Sequence, residues 1–358
     1  MKIGSDLISI FRVALEECLD LELVHSATQA VTESSLEPKV KIANAPSQGL
    51  LEFGANIWPD SVVKDLHLER PSRDIPGTCP LCENWGNVAS NELLLSERFP
   101  RSSQYHPEWI ASSISGAANS LWMTEWLTTA LDLRPGMRVL DLGCGRAASS
   151  IFLRREFGVY VWATDLWFSV SENIERIRDA GVEDGVFPIH ADARSLPFAA
   201  EFFDAIVCID SFYYYGTDDL YLNYLARFVK PGGAVGIAGA GLVREIEGPL
   251  PEHLREWWTQ DLWCLHSAAW WRQHWERTDI IDIELCDTMA EGWRLWLDWH
   301  KVIAPDNASE IKALEADRGS YLGYVRLVGR RNGRTKLADH VVSVPAKYTK
   351  RPLLRREE

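Results

Sequence analysis

Carboxylates at the ends of apolar runs, and a glycine turn beside the first of them, are the groups in this chain that could bind a ligand. Residues 139–145, Val-Leu-Asp-Leu-Gly-Cys-Gly, read as a buried strand ending in a tight turn that opens a helix. Gly143 and Gly145 carry no Cβ, so the turn lets backbone N–H groups approach a ligand closely. Asp165 ends a second apolar run, Val159–Thr164, about twenty residues on, where a carboxylate can accept hydrogen bonds from both hydroxyls of a ribose. Asp192-Ala193 follows a third run, where a carboxylate and a backbone N–H can read an adenine edge. The pattern predicts an adenosine-containing cofactor. Gly143-Cys-Gly-Arg-Ala-Ala148 also matches the dinucleotide fingerprint G-x-G-x-x-A. Asp141 argues against that reading: its charge would repel a pyrophosphate, whereas it can receive an ammonium group or a water bound to one.

The elements that must position these residues follow from the pattern of apolar runs. Strands are expected near 137–142, 159–164, 186–191, 204–210 and 234–240, with helices at 147–157, 170–180 and 218–228 between them. Near-continuous apolar runs suit parallel strands buried on both faces, and the alternation argues for a doubly wound α/β sheet. Lys230-Pro-Gly-Gly reads as a sharp turn into the fifth strand. Two late strands are expected near 280–286 and 321–328, separated by a Trp-rich helix at 292–302. A long helix is expected from Pro107 to Leu131, and another over the first ~30 residues, where Ser5 can cap a stripe of Leu7, Phe11, Leu15 and Leu19. Residues 31–78 are rich in Pro, Ser and Gly without a sustained period. The reading is therefore an N-terminal extension (1–78), a catalytic domain (79–330) with a lid at 241–279, and a basic tail (331–358) that includes Lys347, Lys350 and Arg351.

The chain has 358 residues, 46% hydrophobic and 25% charged, with a net charge of −14. That charge disfavours non-specific binding to nucleic acid or anionic lipid. No apolar run reaches the ~18 residues of a membrane span. Arg12 interrupts the first apolar stretch, which does not read as a signal peptide. The expectation is a cytoplasmic protein with a small-molecule substrate and no nucleic-acid or membrane partner; a homodimer is one open possibility. The 7 cysteines read as reduced thiols. Cys79-Pro-Leu-Cys82 resembles half a zinc site, but no second pair completes it, so no metal is expected. Of 16 tryptophans, Trp257, Trp258, Trp263, Trp270, Trp271 and Trp275 crowd into one short stretch. Such density reads as core and lid packing or as a pocket wall.

Taken together, Val-Leu-Asp-Leu-Gly-Cys-Gly (139–145), Asp165, Asp192-Ala193, Phe203-Asp204-Ala-Ile-Val and Lys230-Pro-Gly-Gly resemble the class I S-adenosylmethionine-dependent methyltransferases. The resemblance spans about residues 105–330. It implies a Rossmann-like sheet of seven strands, the last inserted antiparallel, and S-adenosyl-L-methionine as cofactor. It further implies that Gly143 and Gly145 cradle the methionine part above Asp141. Asp165 would hold the ribose, Leu166 would lie against the adenine, and Asp192 and Ala193 would bind its edge. Asp210 and Ser211 would face the methionine amine and the substrate entrance. Trp167 departs from the family by its size.

The acceptor side is less defined. Tyr213, Tyr214 and Tyr215 follow the fourth strand at the edge where ligands sit in open α/β folds. Trp270, Trp271 and His266 lie in the lid, and Tyr105 precedes the first long helix. Tyr105, Tyr213, Tyr214, Trp270 and Trp271 are candidate substrate contacts; His266 and Tyr215 are candidate catalytic groups, His266 as general base. The packing alternative stands beside each. Methyl transfer needs alignment more than side-chain chemistry, because the sulfonium is already a good leaving group. The expected activity is methyl transfer to a small-molecule N, O, S or C nucleophile; Asp210-Ser-Phe-Tyr stands where amino-methylating nucleic-acid enzymes often carry NPPY. The alternatives are a non-catalytic cofactor-binding sensor, a cyclopropane-synthase-like lipid modification and an NAD(P)-dependent oxidoreductase.

Overall fold

β1 (Arg138–Leu142) lies at the centre of a seven-stranded sheet ordered β3-β2-β1-β4-β5-β7-β6. The structure is a computed structural model and describes residues 92–113 and 116–337. β1 pairs in parallel with β2 (Tyr160–Asp165) and β4 (Phe203–Ile209), so that Val139 stands opposite both Val161 and Ala205. β3 (Val186–His190) continues the parallel sheet beyond β2, and β5 (Val229–Leu242) continues it beyond β4. β7 (Leu322–Arg331) runs antiparallel between β5 and β6 (Ile281–Thr288). This is the doubly wound sheet that the strand–helix alternation predicts, with the one reversed strand that the resemblance implies. Val139, Leu140, Val161, Ile206, Val207 and Val235 are all fully buried, as strands covered on both faces require. Lys230-Pro-Gly-Gly lies inside β5 rather than before it. The register shifts there, from Phe203 opposite Val229 to Ala205 opposite Ala234, and Gly232 adopts φ +78°.

The helices depart from expectation in three places. The helix expected over 107–131 is two: α1 (Pro107–Ala111) and α2 (Ser120–Thr128). The Ser112 and Ser113 hydroxyls turn back onto the Trp109 and Ile110 carbonyls, and Asn119 caps α2 by accepting from the Leu121 and Trp122 N–H groups. α3 (Ala148–Phe157) and α4 (Val170–Asp179) match their predictions, whereas only Tyr221–Leu225 (α5) of the stretch 218–228 is α-helical. Within residues 241–279, α6 (Ala268–Glu276) starts after Ser267, whose hydroxyl accepts from the Trp270 N–H. α7 (Gly292–Ile303) matches the predicted Trp-rich helix, and α8 (Ala308–Asp317) follows it unforeseen.

Six of the 14 tryptophans among the described residues, Trp122, Trp126, Trp271, Trp275, Trp296 and Trp299, are buried in the core. Trp122, Trp275, Trp296 and Trp299 are among the largest fully buried side chains, and Trp296 stacks on Tyr324 at 5.8 Å. Truncating a ring packed this way costs about 3–5 kcal/mol. The expected N-terminal helix, the Cys79–Cys82 turn and most of the basic tail lie outside the described residues. No helix among the described residues is long and apolar enough to cross a membrane.

Candidate active site

The C-terminal ends of β1, β2 and β4 converge, and most of the expected site residues meet there. Asp141 is fully buried on β1. Its Oδ2 accepts from the Ser149 and Ser150 hydroxyls, each at 2.6 Å, while Oδ1 has no hydrogen-bond donor among the described residues. Burial pushes this carboxyl up to about 6; the two serine hydroxyls oppose the rise and the nearby Asp165 charge adds to it. The glycine turn above it is tied to β2: the Gly143 and Cys144 N–H groups both donate to the Thr164 carbonyl, at 2.8 and 3.0 Å. Gly143 has φ +73°, and a Cβ there would collide with the Ser211 side chain.

Asp165 is itself part of this scaffold. Its Oδ2 accepts from the Gly145 N–H at 2.8 Å, and its Oδ1 from the N–H groups of Trp167 (2.7 Å) and Phe168 (3.1 Å). A carboxylate accepts along about four directions, so about one remains for a ligand. Leu166 and Trp167 follow, 47% and 70% exposed. Asp192 accepts from the Arg194 N–H at 2.8 Å, forming the turn after β3, and the Ala193 carbonyl accepts from the Tyr221 hydroxyl at 3.0 Å.

At the end of β4, Asp210 adopts φ +54°, and both of its oxygens are engaged. Oδ1 accepts from the Ala240 N–H (3.0 Å) and the Tyr213 hydroxyl (3.3 Å), and Oδ2 from the Ala118 N–H (3.0 Å). Burial pushes its carboxyl up to about 6 against those donors. Gly239 makes the approach possible, because a Cβ there would lie 2.8 Å from the Asp210 Cα. Ser211 Oγ, Tyr215 Oη and Cys208 Sγ form a triangle with sides of 2.9, 3.0 and 3.1 Å. Burial pushes the Cys208 thiol up to about 12 and the Tyr215 hydroxyl up as well, so both stay protonated at neutral pH. Tyr213 is buried against Asp210, whereas Tyr214 is 43% exposed and its ring lies 6.0 Å from that of Trp167. These two rings reach toward each other from the ends of β4 and β2.

Residues 241–279 supply a second group. Ser267 bridges Leu242 in parallel fashion, beside the stretch of β5 that runs past the end of β4. Ile209 pairs with Ala238, four residues earlier on β5, so this bridge lies ~13 Å farther out along the strand. His266 adjoins that bridge, beyond the end of β4. Its ring stacks on Trp270 at 3.7 Å, and its Nδ1 lies 3.1 Å from Glu245 Oε2, whose other oxygen accepts from the Ser267 N–H. No hydrogen bond or ring contact among the described residues joins His266 to Asp210, Ser211 or Tyr215. Trp271 is buried and, with Asp210, Ser211, Tyr213 and Gly239, lines a cavity of about 10 Å³, the space of one water. A cavity of about 200 Å³ lies instead near the ends of β6 and β7, lined by Val243, Met289, Trp293 and Arg318, and none of the expected site residues borders it.

Tyr105 does not reach the site. Its hydroxyl donates to Glu156 at 3.0 Å and its ring packs on Trp109 and Phe152. Glu156 is near the C-terminal end of α3, roughly 12 Å along the helix from the turn that carries the glycines. The segment between α1 and α2 does reach the site, although it was expected to be helical. The Gly116 carbonyl accepts from Trp299 Nε1 (3.1 Å) and the Ala117 carbonyl from the Tyr324 hydroxyl (2.9 Å), while the Ala118 N–H donates to Asp210. Sequence reasoning also passed over Ser149 and Ser150, although small hydroxyl residues in the first turn after a glycine loop are a readable signal. The Glu245–His266 pairing, across 21 positions, has no such signal.

Residues 139–233 match the family described as "Methyltransferase domain". The chain is 37% identical over 117 residues to methyltransferase GfsG of Streptomyces halstedii, covering 32% of this chain and 42% of that protein. It is 30% identical over 149 residues to the 27-O-demethylrifamycin SV methyltransferase of Amycolatopsis mediterranei, covering 40% and 53%. The ubiquinone/menaquinone biosynthesis C-methyltransferase UbiE of Vibrio cholerae is 31% identical over 144 residues, covering 39% and 53%. The chain thus spans about half the length of these relatives. Among solved structures, a Haemonchus contortus phosphoethanolamine N-methyltransferase superposes with a TM-score of 0.53 at 19% identity, covering 68% of this chain and 61% of that one, and shares the fold. The similarity to methyltransferases thus covers the part of the sheet from β1 to the first residues of β5.

Proposed function

We propose that this domain transfers the methyl group of S-adenosylmethionine to a small-molecule N, O, S or C nucleophile. The observation that carries the reading is Asp141 Oδ1: a fully buried carboxylate oxygen with no donor, directly beneath a glycine turn and on the same edge as Asp165. An unpartnered buried acceptor is costly, and the ammonium of a methionine moiety, or a water bound to it, supplies the missing donor. A pyrophosphate at this turn would face that charge instead, which disfavours a nicotinamide cofactor.

In this reading Gly143 and Gly145 admit the methionine part, and Asp165 uses its remaining acceptor direction for a ribose hydroxyl. Leu166 supplies an apolar face for the adenine, with Asp192 and Ala193 at its edge. The bound donor supplies an activated methyl group. The protein's share is alignment, because holding two reactants in line supplies several kcal/mol. Ser211 and Tyr215 form the polar floor under the glycine turn. Asp210 fixes the ends of β4, β5 and the 116–118 segment around the site. Tyr213, Tyr214, Trp270 and Trp271 wall the acceptor side. His266 serves as base for an acceptor that must lose a proton: Glu245 holds Nδ1, which leaves Nε2 to take that proton.

Calorimetry tests the cofactor and turnover tests the chemistry. The full chain should bind S-adenosylhomocysteine, and Asp165→Ala should abolish that binding. Incubation with S-adenosylmethionine and a panel of hydroxyl, amine, thiol and activated-carbon acceptors should release S-adenosylhomocysteine with at least one class. Absence of binding at high micromolar concentration would sink the proposal.

A further inference from the structure

We propose that Trp167, Tyr214 and Trp263 form an aromatic rim that holds the body of the methyl acceptor. The acceptor is then a large apolar molecule without negative charge, of which the nucleophilic end reaches the glycine turn. The inference names an acceptor class, so it rests on the methyl-donor reading above.

Exposure singles these rings out. Among the 14 tryptophans of the described residues only Trp167 and Trp263 are exposed, by 70% and 52%. Large apolar rings left in water at a ligand-bearing edge cost free energy until a partner covers them. Trp167 follows the end of β2, and its backbone is fixed there because its N–H donates to Asp165 Oδ1 at 2.7 Å. Tyr214 follows the end of β4, and its ring lies 4.5 Å from that of Tyr213. β1 runs between those two strands, yet the Trp167 and Tyr214 rings approach to 6.0 Å. The pair therefore spans the end of β1, which leads into the glycine turn. Trp263 belongs to the 3₁₀ turn Gln260–Cys264, and its ring lies 5.3 Å from that of Trp258. Burial, then the Asp210 charge, push the Tyr214 hydroxyl up to about 12, and Cys264 and Asp261 on that turn add to the rise. The turn that carries Trp263 thus stands beside Tyr214.

The enclosed space behind the rings, bordered by Asp210, Ser211, Tyr213 and Trp271, is about 10 Å³, room for one water. The body of an acceptor does not fit there and must lie against the rings. The ionisable groups that act on Tyr214 from outside, Asp210, Asp261 and Cys264, are all acids. A phosphate, sulfonate or carboxylate on the acceptor would meet like charge, whereas aromatic faces reward apolar area and accept a cation.

The test uses two fluorescent probes with one ring system, uncharged N-phenyl-1-naphthylamine and anionic 8-anilino-1-naphthalenesulfonate. Each is titrated into the full chain with S-adenosylhomocysteine present. The wild type should bind the uncharged probe about 10-fold more tightly than the sulfonate. Trp167→Ala and Tyr214→Ala should each weaken the uncharged probe about 10-fold, and Trp263→Ala about threefold or more. Tyr160→Ala, at the other end of β2, should leave it unchanged. Affinity for S-adenosylhomocysteine should hold within about threefold in every variant. Truncating an exposed ring should leave the melting temperature almost unmoved, and Trp167→Phe, which keeps a ring, should retain most of the probe affinity. Equal affinity for the two probes, or no loss in Trp167→Ala, overturns the proposal. Loss of S-adenosylhomocysteine in step with the probe overturns it too, because the rings would then serve the cofactor. If the variants keep the probe but lose co-sedimentation with uncharged phosphatidylcholine vesicles, the rim is a membrane contact and the proposal falls. A wild type that binds the uncharged probe but no S-adenosylhomocysteine overturns the methyl-donor reading, and the acceptor role of the rim with it.

Discussion

Asp141 shows how a single residue ties burial to ligand chemistry. Its folded pKa of about 6 lies above the usual carboxylate value, so without a ligand it keeps its proton up to about pH 6 and is mostly ionised at neutral pH. The sign follows: the folded state binds more protons than the unfolded chain between about pH 4 and 6. The group's contribution to stability is therefore full below that window and lost as pH rises through it. An ammonium beside Oδ1 favours the ionised form. Binding of S-adenosylhomocysteine at pH 5.5 should then release a proton and weaken about tenfold for each further unit of acidification. At pH 8 that proton release should vanish. Calorimetry in buffers of different ionisation enthalpy measures the proton count, and equal counts at both pH values would remove Asp141 from the site. Gly143 gives a second test. Gly143→Ala adds a Cβ at φ +73° into the Ser211 side chain, so its melting temperature should fall by several degrees. Adding Ser211→Gly should recover the steric part of the loss but not the backbone strain. A double variant no more stable than Gly143→Ala alone would show that the collision was not the cause.

At the scale of elements, the segment between α1 and α2 closes the site from one side. Ser112 is held by Arg146 and Arg176, and residues 116–118 by Trp299, Tyr324 and Asp210. Asn119 then starts α2 by accepting two backbone N–H groups. Asn119→Ala should cost about 1 kcal/mol, read as a lower denaturant midpoint at unchanged m-value; a neutral result would mean that packing alone sets this boundary. Ile110, Ala117 and Leu121 keep a helical spacing through the segment, which is why the sequence reads as one helix there. Gly116 and Asn119 were the available counter-signals, but the donors that make a break favourable come from α7, β7 and the end of β4, far away in the chain. The strands were legible because apolar runs and Gly143 act locally. Lys230-Pro-Gly-Gly reads as a turn because its residue types form turns; that β5 pairs with β4 on both sides of it is not local information.

For the whole molecule, the question is what fills the space between the cofactor edge and the lid. The matched relatives differ in the atom named for methylation, O in one and C in another. Saturating S-adenosylhomocysteine at about 100 times its Kd should stabilise the domain by about 2.7 kcal/mol, a rise of a few degrees in Tm. NADH at equal concentration should give no shift. A rise with NADH and none with S-adenosylhomocysteine would reverse the cofactor assignment.

The order of strands and helices, the glycine turn and the acids at the tips of β1, β2 and β3 were decided by the sequence alone, because period, glycine freedom and strand-end position are set by neighbouring residues. Folding in three dimensions decided the rest. It turned Asp165 and Asp210 into scaffold acceptors as well as candidate ligand contacts, sent Tyr105 down α3 toward Glu156, and brought Arg146, Arg176 and Ser112 together. Each outcome depends on which donor or acceptor lies within about 3 Å once the chain has packed, and no spacing along the chain specifies that.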